Sequence, residues 1–488
     1  MRINGSESIA RVTVLTMVAL TAACTMGPDY KQPEVDVPDV WKAKAAEEVE
    51  VEEGGSSSIQ TWWENLDDPT LTDLLRRAQE ANLDLEIAVA RIREARAVHR
   101  IEKGAWYPQV DGQADAGAQQ FSEQAFGEFG GDTIESYTLG VGASWELDVF
   151  GRIRRSVESA RAAFEGSVED YRDVLVVLLA EVARNYVDVM ALQERIELKE
   201  GNVRAQQDSL QLTQDRFNAG LTSALDVAQA ESNLANTEAQ IPPLRFQLTV
   251  ALNRIAVLLG ENPGSVHDEL LGRWDIPTVP DEIVTLIPAD VVRQRPDIRG
   301  AERALASQTA RIGVATANLY PRFSLTGFLG LDARNLGDLA SGDALTWNVG
   351  LPIVAPLFQG GRLRGQIQVE EARTDQLLSD YELTVLEALE EVENALVAYA
   401  QERLRRERLA RAVRASERSV ELVRTQYLAG LTNFQNVLDS QRSLTDQQDQ
   451  LAESEGLVIK SLIALYRALG GGWQPDPENE ETYTASFQ

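Results

Sequence analysis

The 488-residue chain predicts a mixed α+β fold, mainly long α-helices with four β-strands, built as two copies of one unit. Three observations carry that prediction. Proline-free stretches of 68 residues run from Arg152 to Ala219 and again from Arg362 to Ala429. Two pairs of shorter segments alternate apolar and polar residues with period two. The stretch RFNAGLTSALDVAQAE at 216–231 returns as QYLAGLTNFQNVLDSQ at 426–441, an offset of 210 residues.

The N-terminus reads as a processed leader. Arg2 and Arg11 precede the apolar run Val12–Ala23, too short to span a membrane, and small residues lead into Cys24. LTAAC looks like a bacterial lipoprotein processing site, so residues 1–23 are assigned as signal peptide and Cys24 as the acylated first residue of the mature chain. Cys24 is the only cysteine, which excludes an internal disulfide. A Pro- and acid-rich tether follows over 24–60, with GGSSS at 54–58 as its loosest part.

The first repeat is placed at 61–270. Leu71, Leu74, Leu75 and Ala78 share one helical face, and a second helix runs from about Leu83 to Ala105 before WYP at 106–108. Strands are expected at about 108–119 and 136–148, where Tyr137, Leu139, Val141, Ala143, Trp145 and Leu147 alternate with polar or tiny residues. A helix of about 100 Å then follows over 152–219, given 1.5 Å per residue. The tip turn lies at 219–222.

After a linker at 271–294, the second repeat occupies 295–471. Its helix ends at Tyr320–Pro321, strands follow at about 321–330 and 344–354, the long helix at 362–429 and the tip turn at 429–432. Residues 472–488 read as a flexible tail. Ile196, Val203, Leu210 and Phe217 repeat every seven residues, as do Val413, Val420 and Tyr427. Beyond the turns, Val227, Leu234, Ile241, Leu248 and Ile255 match Val437, Leu444, Leu451, Val458 and Leu465, so coiled-coil or tubular packing is expected. Gly220 and Gly430 suit left-handed C-caps, and Thr222 and Thr432 are positioned to cap the next helices.

Four strands cannot close a barrel, and an open edge in hydrocarbon would strand backbone groups at several kcal/mol each. If the strands cross a membrane, copies must combine; eight, twelve or sixteen strands all remain open. In water, the same four could form a small sheet packed on helices.

A formal charge of −30 argues against a general nucleic-acid partner. Enzyme signatures are weak: GENPG is no phosphate loop, and His99 and His267 lack the neighbours of a metal site.

Taken in order, CTMGPDYKQPEVDVP at 24–38, WWENLDDPTLTDLL at 62–75, ELDVFGRIR at 146–154, RFNAGLTSALDVAQAE, RPDIRGAE at 295–302, LFQGGRLRG at 357–365 and YLAGLTNFQNVLDSQRSL at 427–444 resemble the outer-membrane efflux channel family. These are the TolC-like proteins, and the likeness is strongest to their lipidated drug-efflux branch of OprM/NodT type. That resemblance implies a homotrimer with a 12-stranded β-barrel, four transmembrane strands per subunit, and an α-helical periplasmic tunnel. It implies a passive, gated duct for drugs or other small molecules, joined to a periplasmic membrane-fusion adaptor and an inner-membrane pump of the resistance–nodulation–division (RND) class. No cofactor is implied beyond covalent lipid on Cys24 and contact with outer-membrane lipid.

The resemblance also assigns the hairpin tips to a periplasmic gate and places its polar elements on Tyr427, Asp439 and Arg442. An ordinary solvated carboxylate is the competing reading of Asp439, and Tyr427 also serves the heptad seam. The first copy has Gln229 and Ser232 at the matching positions, leaving Asp226 as a candidate tip carboxylate. Ala219, Gly220, Leu221 and Thr222, with Ala429, Gly430, Leu431 and Thr432, are the candidate adaptor-docking residues, against a bare turn-forming role. A coiled-coil periplasmic adaptor or structural lipoprotein is the rival reading of the whole chain.

Overall fold

The computed structural model describes residues 25–42, 51–53, 57–127, 131–272, 277, 283–285 and 288–473. Cys24, the signal peptide and most of the C-terminal tail lie outside them. In chain order the elements are β1 (Val51–Glu53), α1 (Pro69–Ala81), α2 (Leu83–Gly104), β2 (Gln109–Gln120), β3 (Thr133–Leu147), α3 (Arg152–Asn218), α4 (Ala224–Glu238) and α5 (Ile241–Leu258). Then come β4 (Ile283–Thr285), α6 (Pro288–Gln294), α7 (Pro296–Ala317), β5 (Arg322–Ala333), β6 (Leu345–Gly350), β7 (Ile353–Val354), α8 (Arg362–Leu428) and α9 (Phe434–Ala468). The chain divides into two compact units, residues 1–34, 91–168 and 300–382 in one, and 35–90, 169–299 and 383–488 in the other.

The first unit is organised by an antiparallel sheet of order β2-β3-β5-β6, with β7 also paired to β5. Its register sorts side chains by chemistry. Val141 pairs with Leu329 and Leu329 with Trp347; Leu139 pairs with Leu331 and Leu331 with Leu345. Directly opposed residues share a face, so these rows build one apolar surface. Leu139, Val141, Leu329, Trp347 and Val349 on it are all more than half exposed. The other face carries Asp111–Gly142–Phe328–Asn348 and Gln113–Gly140–Gly330–Thr346. Gly140 and Gly330 are required there: a Cβ on either would lie within 2.8 Å of the Phe328 ring carbon Cζ.

The second copy's last strand, expected unbroken to residue 354, splits into β6 and β7. Pro352 lacks an N–H, so the ladder to β5 cannot continue through it. Its carbonyl instead accepts from Ser324 N at 3.1 Å.

Residues 25–30 are not free tether. Gly27 (φ +85°) approaches Gly313 so closely that a Cβ on it would sit 2.5 Å from Gly313 Cα, and Thr25 lies against Gly151. The buried Arg155 guanidinium donates to Met26 O (3.1 Å), Gly27 O (3.4 Å) and Asp29 Oδ1 (2.6 Å). Tyr30 hydroxyl donates to Glu302 Oε1 at 3.0 Å.

In the second unit, the α1 residues Leu71, Leu74, Leu75 and Ala78 are buried, and α1 starts where Asp68 Oδ1 accepts from Thr70 N and Leu71 N. They join a core with Tyr186, Val187 and Met190 of α3, Leu252 and Ile255 of α5, Tyr399 of α8 and Leu462 and Tyr466 of α9. The stretch expected as a flexible tail begins docked: Gly472 N donates to Ile59 O at 3.2 Å, and the buried Trp473 ring lies under Arg172 (4.7 Å) and Arg299 (5.4 Å). The helix after the first turn breaks at 239–240, just before Pro242 and Pro243 in the first turn of α5; its counterpart α9 runs 35 residues unbroken.

Candidate functional site at the hairpin tips

Both long helices end in the same way. Gly220 and Gly430 adopt φ of +72° and +73°. Leu221 N donates to Arg216 O (2.8 Å) and Gly220 N to Phe217 O (2.9 Å); Leu431 N donates to Gln426 O (2.9 Å) and Gly430 N to Tyr427 O (3.1 Å). This is the Schellman arrangement, which a residue with a Cβ adopts only with strain. It leaves Leu221 and Leu431 as apolar knobs, 66% and 78% exposed. Ala219, Ala429 and both glycines are open, whereas Thr222 and Thr432 are half-buried.

The threonines are not the helix caps expected from the sequence. Ser223 caps α4 in a reciprocal capping box with Asp226, and Asn433 Oδ1 caps α9 by accepting from Asn436 N at 3.2 Å. Thr222 donates to Asp226 Oδ2, and Thr432 Oγ1 accepts from Asn436 Nδ2 at 2.7 Å. Partial burial opposes ionisation of Asp226, but the Thr222 and Ser223 donors outweigh it and hold the carboxyl below its ordinary range. Asp226 is thus engaged in ending its own turn.

The three expected gate residues fall into two places. Asp439 and Arg442 share one exposed helix face, with Arg442 Nη1 3.9 Å from Asp439 Oδ1. Gln435 Nε2 donates to Asp439 Oδ1 at 2.9 Å. Arg442 reaches across to the first hairpin, where its Nε donates to Asn233 Oδ1 at 2.8 Å. Tyr427 lies in a buried seam with Ala230, Phe434, Val437 and Leu438, its ring 4.7 Å from the Arg216 guanidinium carbon. Its hydroxyl has no hydrogen-bond partner among the described residues.

Further polar links tie α3 to α9. Gln441 Nε2 donates to Ser209 Oγ at 2.8 Å, and Asn202 Nδ2 to Gln448 Oε1 at 3.1 Å. Higher up, Arg195 grips Asp449 with two hydrogen bonds of 2.9 and 3.1 Å, and the buried Lys199 ammonium lies 3.7 Å from the same carboxylate. Burial alone would raise Asp449; the Arg195 and Lys199 cations win and hold it down. None of these links was identified from the sequence. One signal was available: Lys199 stands where the second copy has the apolar Leu409.

Within the helical unit, two corresponding hairpins are joined by a ladder of polar contacts, and the sheet-bearing unit carries a bare apolar face. A family model described as outer membrane efflux protein matches residues 74–261 and 287–471. The chain therefore belongs to the outer membrane efflux protein family. It is 32% identical over 471 residues to nodulation protein T of Rhizobium leguminosarum bv. trifolii, covering 95% of this chain and 98% of that protein. It is 30% identical over 481 residues to the pyoverdine export outer membrane protein OpmQ of Pseudomonas aeruginosa, with 96% and 98% covered. Among solved structures, the outer-membrane channel OprN matches with a TM-score of 0.87 and 37% identity over 93% of this chain and 100% of that one. The protein is an efflux channel component of the outer membrane with a TolC-like α+β fold.

Proposed function

We propose that three copies close their four-stranded sheets into one 12-stranded barrel and gather their helical hairpins into a periplasmic tunnel. The duct exports drugs or other small molecules. One observation carries this reading: the apolar rows through Val141, Leu329 and Trp347 are bare, while β2 and β6 each end the sheet with an edge unpaired among the described residues. Lipid satisfies the bare face, and neighbouring copies satisfy the edges. A native mass of the detergent-extracted mature protein, read with single-channel conductance, tests it. Three chains per conducting particle is the expected result; a detergent-free soluble monomer would overturn it.

Cys24 carries the acyl anchor in this reading. The tips dock a periplasmic membrane-fusion adaptor through Leu221, Leu431 and their small neighbours, and the adaptor joins an RND-class pump that supplies the energy. The duct itself is passive and not an enzyme. Asp439 and Arg442 form the gate link that closes the tip, with Tyr427 as a packing element of the seam beside it.

A further inference from the structure

The helical unit holds two apolar cores rather than one continuous column. The larger takes α3 as far as Leu192, with Ile196 beside it, α5 from Leu244 and α9 from Val458. The smaller, at the tips, takes Ala230, Tyr427, Phe434, Val437 and Leu438, with Leu210 of α3 against it. Residues 197–209, 231–243 and 439–457 lie between and belong to neither. Lys199, Gln206, Asn233, Thr237 and Thr445 are buried in that belt, where Ala452 is the one buried apolar side chain. Such polar contacts fix direction but supply little of the burial that stiffens a helix pair.

Both legs of the first hairpin are weakened at one level inside this belt. Gly201 stands within α3, 19 residues before the tip glycine Gly220. The break between α4 and α5, at 239–240, comes 19 and 20 residues after it. That level is about 28 Å from the tip. Pro242 and Pro243 have no N–H, so the carbonyls of Glu238 and Ala239 lose their helical donors. A Cβ on Gly201 would meet only Arg204 Nη2, at 3.7 Å, so no neighbour demands glycine there. The second hairpin has Arg411, Ala452 and Glu453 at the matching positions, and both its helices run through unbroken.

A buried cation ties the weakened level together. The Lys199 ammonium donates to Gln240 Oε1 at 2.7 Å, at the break itself, and faces Asp449 of α9. We infer that the first hairpin pivots here: residues 202–238 swing as one arm about Gly201 and the 239–240 break, latched by Lys199. The unbroken second hairpin is the post. Helices kink at glycine and proline, so the bend needs no unfolding. Swinging parts Arg442 from Asn233 and Gln441 from Ser209, both on the tip side, and leaves Arg195–Asp449 intact. It also brings water to Gln206 Oε1 and Asn233 Nδ2, buried atoms with no partner among the described residues. The inference rests on the gated-duct reading and adds which hairpin opens and where it bends.

The test uses detergent-extracted trimers, followed by native mass, amide exchange and single-channel recording. Corrected for intrinsic rates, amides at 199–203 should exchange about fivefold faster than the matching 409–413, and Gly201→Ala should remove the difference. In the Arg442→Ala background, whose tip link is gone, Gly201→Ala should lower open probability about fivefold for each chain that must bend. Pro242→Ala with Pro243→Ala should act in the same direction, whereas Lys199→Met should raise open probability. Conducting trimers with equal exchange in the two segments, or with open probability unmoved by Gly201→Ala, overturn the pivot and leave the duct standing. An unchanged or lowered value for Lys199→Met overturns Lys199 as the latch. A particle that is not trimeric, or does not conduct, overturns the duct and the pivot's part in gating together.

Discussion

Arg442 on the second hairpin and Asn233 on the first are joined by a single hydrogen bond of 2.8 Å, donated by the guanidinium Nε to the amide oxygen. The two residues are 209 positions apart, and at the matching place in the first hairpin stands Ser232, too short to reach back. The link is therefore one-way, from the second copy to the first. Asp439 contributes mainly by orienting Arg442, since the pair is exposed and 3.9 Å apart.

Replacing Arg442 with Ala, or Asn233 with Ala, should open the tip. We expect higher single-channel conductance and greater sensitivity to large antibiotics, with trimer yield unchanged. Because each substitution removes the same bond, the double variant should add little to either single one. Fully additive conductance changes would show that the two residues act separately. Asp439→Ala should raise conductance less than Arg442→Ala.

Tyr427 gives a sharp contrast between its ring and its hydroxyl. The ring fills the seam against Phe434 at 5.4 Å, while the buried hydroxyl has no partner among the described residues. Tyr427→Phe should be neutral or slightly stabilising, because it removes an unsatisfied group. Tyr427→Ala should cost about 3 kcal/mol through the cavity it leaves. Chemical unfolding of the helical unit, followed by tryptophan-independent far-UV circular dichroism, separates the two.

Glu194 makes stability pH-dependent. Burial, with added repulsion from Glu455, pushes its carboxyl up to about 7. The folded protein then holds this proton at pH values where the unfolded chain has released it. Stability from this group is present below the ordinary carboxyl range and is lost as pH rises to about 7 and beyond. Partial solvent access trims the loss to about 1–2 kcal/mol. Glu194→Gln should flatten that part of the profile between pH 5 and 8 by roughly the same amount; an unchanged slope would reject the assignment.

Arg155 holds the N-terminal segment through two carbonyls and Asp29. Arg155→Ala should remove the donor shared by three acceptors and release residues 25–30, at a cost of about 1–2 kcal/mol because water can reach Gly27 and Asp29. Limited proteolysis of the membrane-bound protein should then cut near Lys31, where the parent should be spared. Gly27→Ala should act in the same direction, since its Cβ would meet Gly313 backbone.

The long helices and the glycine turns were readable because each rests on local chemistry. Proline-free heptads specify the helices, and φ near +72° at the turn selects glycine. The sheet was readable through period two, and Val141, Leu329 and Trp347 share a face as that period requires. Caps were misread by one position because Thr222 and Ser223 are both competent side chains, and the choice depends on where the chain turns. The pairings Arg195–Asp449 and Arg442–Asn233 join residues more than 200 positions apart. No spacing rule in one sequence encodes which long polar side chain meets which, so these emerged only from the packed hairpins.

The order of synthesis gives the N-terminal strap a particular timing. Tyr30 is made early, yet its partner Glu302 lies 272 positions later and Gly313 later still. The segment therefore cannot complete its contacts while the first repeat alone has been made. Until most of the second repeat's first helix has arrived, it has the Arg155 cradle and the contact with Gly151 but neither Glu302 nor Gly313. A chain stopped before residue 302 should accordingly leave residues 25–30 more open to protease than in the whole protein, with the Arg155 contacts left to hold them.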